Sequence, residues 1–329
     1  MDHKFVILEL LERMRKKEVV NKDTWKVKAY SNALKQICGL EGPIQRVEDV
    51  EGLKGIGKGI KDKIKEIIDT GKLHQVEEAE AYNMEADAIE DLTKVHGVGP
   101  SKAKELIEKY NIKTIDQLKS NMHLLNDKQK LGLKYVEDFI LRIPRKEMEK
   151  HEDFLIKNIK NIYPHLVVEV VGSYRRGSSS SGDIDVLITT HNNDENMDNV
   201  LSNIVKEFEK QKYCVDTFAL GNKKYLGVCK VKFGRHYRRI DLLITNKHEF
   251  PFAELYFTGD QSFNIELRNY ALSKGYSLSE YGLKHTTGKQ KGNYVENKFT
   301  TEKEIFEFLG VVYIPPNERK INSLKFERF

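Results

Sequence analysis

Cysteine is scarce in this chain: three residues in 329, Cys38, Cys214 and Cys229, far apart and with no CxxC pair. They cannot build a disulfide framework or a thiolate zinc site, and a reducing compartment fits them. No run of about 18 apolar residues occurs, which excludes a membrane-spanning helix. The start Met1-Asp2-His3-Lys4-Phe5 lacks the basic-then-apolar plan of a secretory signal. An excess of one charge is nearly missing too. Lys and Arg number 55 against 50 Asp and Glu, a net +5. Residues 1–144 carry 26 basic and 25 acidic side chains, and residues 145–329 carry 29 and 25. Neither half is a basic arm, so any grip on nucleic acid rests on local clusters. What is present is 39% hydrophobic and 32% charged residues, a soluble globular composition. At roughly 100–200 residues per domain, the length predicts two to four compact units.

The first 145 residues read as helix. Phe5, Ile7, Leu8, Leu11 and Met14 recur at helical spacing. Asp23 can cap a helix running through Trp25, Tyr30, Ala33 and Ile37 to Gly39. Ile60, Ile64, Ile67 and Ile68 form another stripe, ended by Gly71. Further helices are predicted over 92–110, 115–125 and 131–140. Strand-like runs come later, at 167–171, 184–188, 227–233 and 239–244, with a helix over 200–208 between the second and third. Pro144 with Arg145-Lys146-Glu147 marks one joint and Phe250-Pro251 a second.

Leu53-Lys54-Gly55-Ile56-Gly57-Lys58 is echoed by Val95-His96-Gly97-Val98-Gly99-Pro100. Each GhG (h apolar) lets the backbone enter conformations closed to other residues, and a lysine-bearing helix follows. The unpaired N–H groups and positive dipole end of such a helix suit phosphate. Two tight inter-helix turns are the plainer reading; two copies with downstream lysines favour paired phosphate grips through Gly55, Gly57, Gly97 and Gly99. The pattern resembles the helix-hairpin-helix motif. That resemblance implies a monovalent cation, Na+ or K+, held by backbone carbonyls among Leu53, Ile56, Thr93, Val95 and Val98.

The stretch Gly172-Ser173-Tyr174-Arg175-Arg176-Gly177, then Ser181-Gly182-Asp183-Ile184-Asp185, carries the chemistry. Asp183 and Asp185 are two apart on a strand, so both face one side while Ile184 and Val186 enter a core. Two such carboxylates repel unless a cation joins them, and magnesium takes oxygen ligands while leaving positions for phosphates. A third acid, Asp241, lies in another apolar strand. Three strand-borne acids can hold two metals, one acting on a 3′-hydroxyl and one on a triphosphate. Gly172-Ser173 offers N–H and hydroxyl to terminal phosphates, and Arg176 neutralises them. DxD alone is weak; GS-x-R-x-G, then GD-x-D, then a lone strand Asp is the nucleotidyltransferase signature.

With these motifs the chain resembles a family X DNA polymerase of the beta and lambda type, over residues ~20–329. The match takes in Ala29-Tyr30, Leu133-Lys134-Tyr135, Arg142-Ile143-Pro144-Arg145, Gly227-Val228-Cys229, Arg238-Arg239-Ile240-Asp241, Tyr256-Phe257-Thr258-Gly259, Phe263-Asn264, Arg268 and Glu280-Tyr281. No protein-interaction domain is expected ahead of this minimal core. The resemblance implies Asp183, Asp185 and Asp241 as ligands of two Mg2+ ions, with Mn2+ able to substitute. It implies Ser173, Arg176, Ser181, Gly182 and Arg142 at the triphosphate and Arg239 along the primer backbone. Tyr256, Phe257 and Gly259 would flank the sugar, Asn264 the base edge and Arg268 the template.

It further implies a 5′-deoxyribose-phosphate lyase. Lys63 matches the lysine that forms an imine with an abasic aldehyde, and Lys58, Lys61 and Lys65 would favour its neutral form. Lys26 and Tyr30 match supporting residues, and Lys58 a 5′-phosphate contact. Trp25, the only tryptophan, would stack on a template base, with core filling as the plainer alternative. Gly59 and Gln75 stand where relatives carry basic residues, Asp260-Gln261 adds a carboxylate after the Thr-Gly turn, and Leu243 replaces an arginine of the beta type.

The expected fold is a multidomain α+β chain: a lyase-like helical module (1–80), a helical DNA-binding module (81–145), a palm with a mixed β-sheet (146–250) and a small nucleotide-selecting module (251–329). The expected function is template-dependent gap filling of the base excision repair type. The alternative is an end-joining or template-independent terminal transferase; the short stretch Val231–Arg239 disfavours it. A non-catalytic DNA scaffold would not keep three acids beside DNA. A small-molecule or RNA nucleotidyltransferase would lack the hairpins and Lys63. Expected partners are gapped or nicked DNA and deoxynucleoside triphosphates, with no membrane and a monomeric protein. The compartment would be intracellular: the nucleus in a cell, a replication compartment or virion if viral.

Overall fold

The computed structural model describes residues 2–77, 80–190, 197 and 199–325. Two compact units divide between Val136 and Glu137. The first holds α1 (Lys4–Val20), α2 (Thr24–Cys38), α3 (Lys58–Thr70), α4 (His74–Glu77), α5 (Glu80–Thr93), α6 (Pro100–Tyr110), α7 (Ile115–Lys119) and α8 (Asp127–Lys134), with α9 (Val136–Ile140) at the division. Asp23 caps α2 by accepting the Lys26 N–H, and Gly71, at φ +72°, ends α3. Two cores form. Ile7, Leu11, Tyr30, Ala33, Ile37, Ile60, Ile64 and Ile67 meet in one. Leu92, Val95, Val98, Ala103, Leu106, Leu118 and Leu133 meet in the other. The predicted helix over 115–125 stops at Lys119, and a 3-10 turn spans Met122–Leu124. Short polar side chains end it: the Ser120 hydroxyl donates to the Asp116 carbonyl and the Asn121 amide to the Gln117 carbonyl.

The second unit contains β1 (Ile143–Pro144), α10 (Arg145–Ile162), β2 (Leu166–Val170), α11 (Gly172–Arg175), β3 (Ser180–Ser181), β4 (Ile184–Thr190), α12 (Val200–Lys210), β5 (Cys214–Leu220), β6 (Lys224–Cys229), β7 (Arg238–Ile244), α13 (Phe250–Thr258), α14 (Gln261–Ser273), β8 (Tyr276–Ser279), β9 (Gly282–His285) and α15 (Glu302–Phe308). Its main sheet runs β2-β4-β7-β6-β5, antiparallel except for the β4–β7 pair. Ile184, Val186 and Ile188 point into a core with Met148, Leu155 and Ile159 of α10 and Ile204 and Phe208 of α12. On the opposite face Leu187 packs with Ala253 of α13, and Leu243 joins them. The period of two therefore puts Asp185 and Asp241 on the α13 face. A separate core of Phe252, Phe263, Leu267, Ile305 and Phe306 unites α13, α14 and α15.

The helix predicted over 92–110 is interrupted between Thr93 and Pro100 by the second hairpin, and three further expectations shift. The strand predicted over 227–233 starts at Lys224 and ends at Cys229. β5 was not predicted at all, because two register shifts break its alternation of inward and outward residues. The division falls before Pro144, because Ile143 and Pro144 pair with Ser181 and Ser180 and so belong to the second unit.

Candidate active site

In the second unit, Asp185 and Asp241 are Cα partners across the parallel β4–β7 pair. Asp185 is pushed up to about 7, first by burial and then by the charges of Asp183 and Asp241. Burial likewise pushes Asp241 up to about 6, against the pull of Lys224, whose ammonium stands 3.9 Å away. Asp183 precedes β4 and is half turned to solvent, and its carboxylate accepts from the Arg239 guanidinium. Arg239, expected along the primer, is thus here a counter-ion for an acid. Among the described residues no three His, Cys, Asp or Glu side chains gather closely enough to hold a metal, although the charge of Asp183 acts on both other acids. Two opposed, desolvated carboxylates with hard oxygen donors still suit a divalent cation that neutralises both.

Gly172 supports this pair. Its φ is +65°, and a Cβ there would fall 2.5 Å from Asp185 Oδ2. Beside it, the Ser173 hydroxyl donates to Ser181 Oγ at 3.0 Å. Arg142 donates through Nε to Ser180 Oγ at 3.2 Å and through Nη2 to the Ser180 carbonyl, and a Cβ at Gly182 would lie 3.5 Å from its Nη1. Ser173, Ser181, Gly182 and Arg142 are therefore gathered at the edge where β4 begins.

Arg176 donates to the Thr258 carbonyl, and Gly259, at φ +63°, leaves it room. This ties α11 to the α13–α14 turn. There Tyr256 and Phe257 meet edge to face at 4.9 Å, and the Asn264 amide donates to the Tyr256 carbonyl at 2.7 Å. Arg268 lies 4.5 Å over the Tyr256 ring and 3.6 Å from Glu280. Asp260 caps α14, accepting the Ser262 and Phe263 N–H groups. Its carboxylate therefore has a structural task beyond adding charge beside a nucleotide.

Two residues of the second unit escaped the sequence reading. Lys224 was missed because its strand was placed three residues late. Arg175, the arginine of the GS-x-R-x-G pattern, was given no role beside Arg176. It is the hub of a buried network, reaching Glu169 at 2.8 Å, Glu254 at 2.9 Å and Glu302 at 3.2 Å, and Glu302 also pairs with Arg319 at 2.6 Å. Residues 230–239 carry five basic side chains, a cluster suited to phosphate, but not all of them are free for it. Arg238 is 3% exposed and bound to Glu147 at 2.8 Å.

In the first unit the two hairpins share one backbone geometry. Gly55 and Gly97 have φ +87° and +89°, and Gly57 and Gly99 are the extended N-caps of α3 and α6. The Ile56 N–H donates to the Leu53 carbonyl and the Val98 N–H to the Val95 carbonyl, so two of the five expected cation carbonyls, those of Leu53 and Val95, also close a turn. A side-chain amide braces each hairpin: Asn32 donates to the Lys54 carbonyl, and Gln129 to the Gly97 carbonyl. Thr93 ends α5 just before the second hairpin, its hydroxyl donating to the Glu90 carbonyl. Lys58 is exposed at the first turn of α3.

Lys63 lies one turn further along α3, its ammonium 3.5 Å from the Gly59 carbonyl. Lys26 stands 3.6 Å from Glu18 and 3.3 Å from Asp23. Tyr30 is buried and its hydroxyl is pushed up to about 12 by desolvation and then by Glu18. Glu18, itself buried, was not expected. Trp25 is 83% exposed, which rules out core filling.

A DNA polymerase beta palm model matches residues 142–247 and a DNA polymerase beta thumb model matches 253–320. The fingers domain of DNA polymerase lambda matches 90–140, a helix-hairpin-helix domain 2–73 and a SAM-like helix-hairpin-helix tandem 47–111. DNA polymerase lambda of Arabidopsis thaliana is 33% identical over 308 residues, covering 89% of this chain and 58% of the relative. DNA polymerase lambda of Rattus norvegicus is 29% identical over 324 residues, covering 95% and 56%. DNA nucleotidylexotransferase of Xenopus laevis is 30% identical over 329 residues, covering 88% and 63%. The chain spans between half and two thirds of the length of these relatives. With palm, thumb, fingers and hairpin models matched in order along nearly all of its length, the chain belongs to the family X DNA polymerases.

Proposed function

We propose that this chain is a gap-filling DNA polymerase that adds a template-chosen deoxynucleotide to a primer 3′-hydroxyl. The observation that carries the reading is the opposition of Asp185 and Asp241, with Gly172 pressed on one carboxylate and the Ser173–Ser181 pair beside it. Asp185 and Asp241 would hold Mg2+, or Mn2+ in its place, with Asp183 joining them. When bound, the metal pair acidifies the 3′-hydroxyl and neutralises charge on the triphosphate.

The chain's own residues do the rest. Ser173, Ser181, Gly182, Arg142 and Arg176 hold the triphosphate by hydrogen bonds and charge. Tyr256, Phe257 and Gly259 line the sugar side, and Asn264 and Arg268 face the new base pair. The two hairpins grip backbone phosphates through helix N-termini, with Na+ or K+ on their carbonyls. Lys63, with Lys26 and Tyr30 in support and Lys58 at the phosphate, forms the imine of a 5′-deoxyribose-phosphate lyase. The partners are gapped or nicked DNA and deoxynucleoside triphosphates, and the protein acts as a monomer. Its place would be the nucleus of a cell, or a replication compartment or virion of a virus. The terminal-transferase alternative is disfavoured by the brief turn between β6 and β7. The four-module division stands as part of this reading.

Extension of a one-nucleotide gap, with and without a 5′-phosphate, tests it with each nucleotide separately. Only the complementary nucleotide is expected to be added. Asp241→Ala should lose roughly a thousandfold, ~4 kcal/mol of barrier, while still binding gapped DNA. Untemplated addition, or normal extension by the variant, overturns the reading. Borohydride should trap an abasic-DNA adduct that disappears in Lys63→Ala; equal trapping by the variant moves the imine elsewhere.

A further inference from the structure

Two cysteines distant in sequence meet in the sheet. Cys214 opens β5, Cys229 closes β6, and they are Cα partners in an antiparallel ladder. The Lys230 N–H donates to the Tyr213 carbonyl at 2.9 Å, so residues 213 and 230 form a hydrogen-bonded pair. The next pair in from it, Cys214 and Cys229, is then a non-hydrogen-bonded one. Such pairs hold their Cα atoms about 4.5 Å apart, with side chains on the same face at closest approach. Disulfides form at Cα separations of roughly 4.4–6.8 Å. Both cysteines belong to one core, 3% and 0% exposed, and both thiols are free.

We propose that Cys214 and Cys229 are a modification site, closing to a reversible cross-strand disulfide when the protein meets a peroxide. The inference does not depend on the polymerase reading. The steps balance. The Cys214 sulfur attacks one oxygen of hydrogen peroxide, the O–O bond breaks, and sulfenic acid and water form. The Cys229 sulfur then attacks the Cys214 sulfur, the S–O bond breaks, and a second water leaves with the thiol proton. The two sulfurs lose two electrons in all, and the peroxide gains them.

The fold decides which cysteine reacts and how readily. β5 is the edge strand, twice bulged, with Val215 and Leu220 outward, so its opening bares Cys214 first. While closed, the pair is guarded, because burial pushes the Cys214 thiol up to about 12 and the Cys229 thiol well above its ordinary value. Cys229 also sits 3.9 Å from His151 Nδ1, which shares a hydrogen bond with the Tyr213 hydroxyl. Cys229 is therefore packed against His151 and Tyr213.

The test uses the reduced full chain. It is exposed to hydrogen peroxide without denaturant, quenched in acid, unfolded, alkylated and digested without reductant for mass spectrometry. The expected result is a peptide pair joining Cys214 to Cys229, two hydrogens lighter than its reduced parts. It should form within one molecule, persist in Cys38→Ser and vanish with dithiothreitol. Full alkylation of Cys214 and Cys229 at doses that oxidise Cys38 would overturn the proposal. So would a Cys214 sulfenic acid captured by dimedone with no link formed, or a link between two molecules.

Discussion

Gly172 stands so close to Asp185 that one added carbon would lie 2.5 Å from its carboxylate oxygen. The backbone there is also left-handed, at φ +65°. Any side chain must move the carboxylate, the turn or both. Gly172→Ala should therefore lower kcat on gapped primer by at least tenfold, with DNA affinity held within about twofold. The left-handed residue adds ~1–2 kcal/mol of strain, seen as a lower Tm. Unchanged kcat would show that Asp185 does not need its present position.

The neighbouring arginines separate stability from substrate binding. Arg175 faces Glu169, Glu254 and Glu302, and its removal strands buried carboxylates. Arg175→Ala should cost about 3–5 kcal/mol of unfolding free energy. Arg176→Ala should leave Tm within a few degrees and raise KM for the nucleotide. Denaturant unfolding and steady-state kinetics on both variants check this; a reversal of the two phenotypes would exchange their roles.

Glu254 is raised to about 8, first by burial and then by Glu169. Unfolded, a glutamate titrates near ~4.3. Between these values the folded chain holds a proton that the unfolded chain has released, so stability falls as pH rises through the window. Glu254→Gln keeps an acceptor for Arg175 and removes the titration. Its Tm should gain on the native protein steadily from pH 5 to about pH 8 and then level off. A constant difference across that range would show that Glu254 titrates normally.

Trp25 is exposed on α2, with the Lys28 ammonium 5.8 Å from its ring. Trp25→Ala should change stability by less than about 0.5 kcal/mol. If the indole stacks on a base, gapped-DNA affinity should fall by about 1–3 kcal/mol, roughly five- to 150-fold. Fluorescence anisotropy measures this, and unaltered affinity would remove the stacking role.

The helical half was legible because its signals are local. The Asp23 cap, the Gly71 stop and the isoleucine stripe of α3 act over one or two turns and hold in the fold. The paired hairpins were legible for the same reason, since a left-handed glycine is a property of the backbone itself. β5 was hidden because bulges break the period of two. Lys224 was hidden with the start of β6, and Arg175 because its three acidic partners come from β2, α13 and α15.

The sequence by itself pointed to the family through motifs collinear along the chain, and short spacing was enough for the two hairpins and the Asp183–Asp185 pair. Tertiary structure alone decided which acids meet. Parallel pairing sets Asp185 against Asp241, and Asp183, whose charge acts on both, is also paired with Arg239. It also decided that Cys214 faces Cys229. Strand register is a long-range property, set by which faces bury their apolar side chains, and no local spacing contains it.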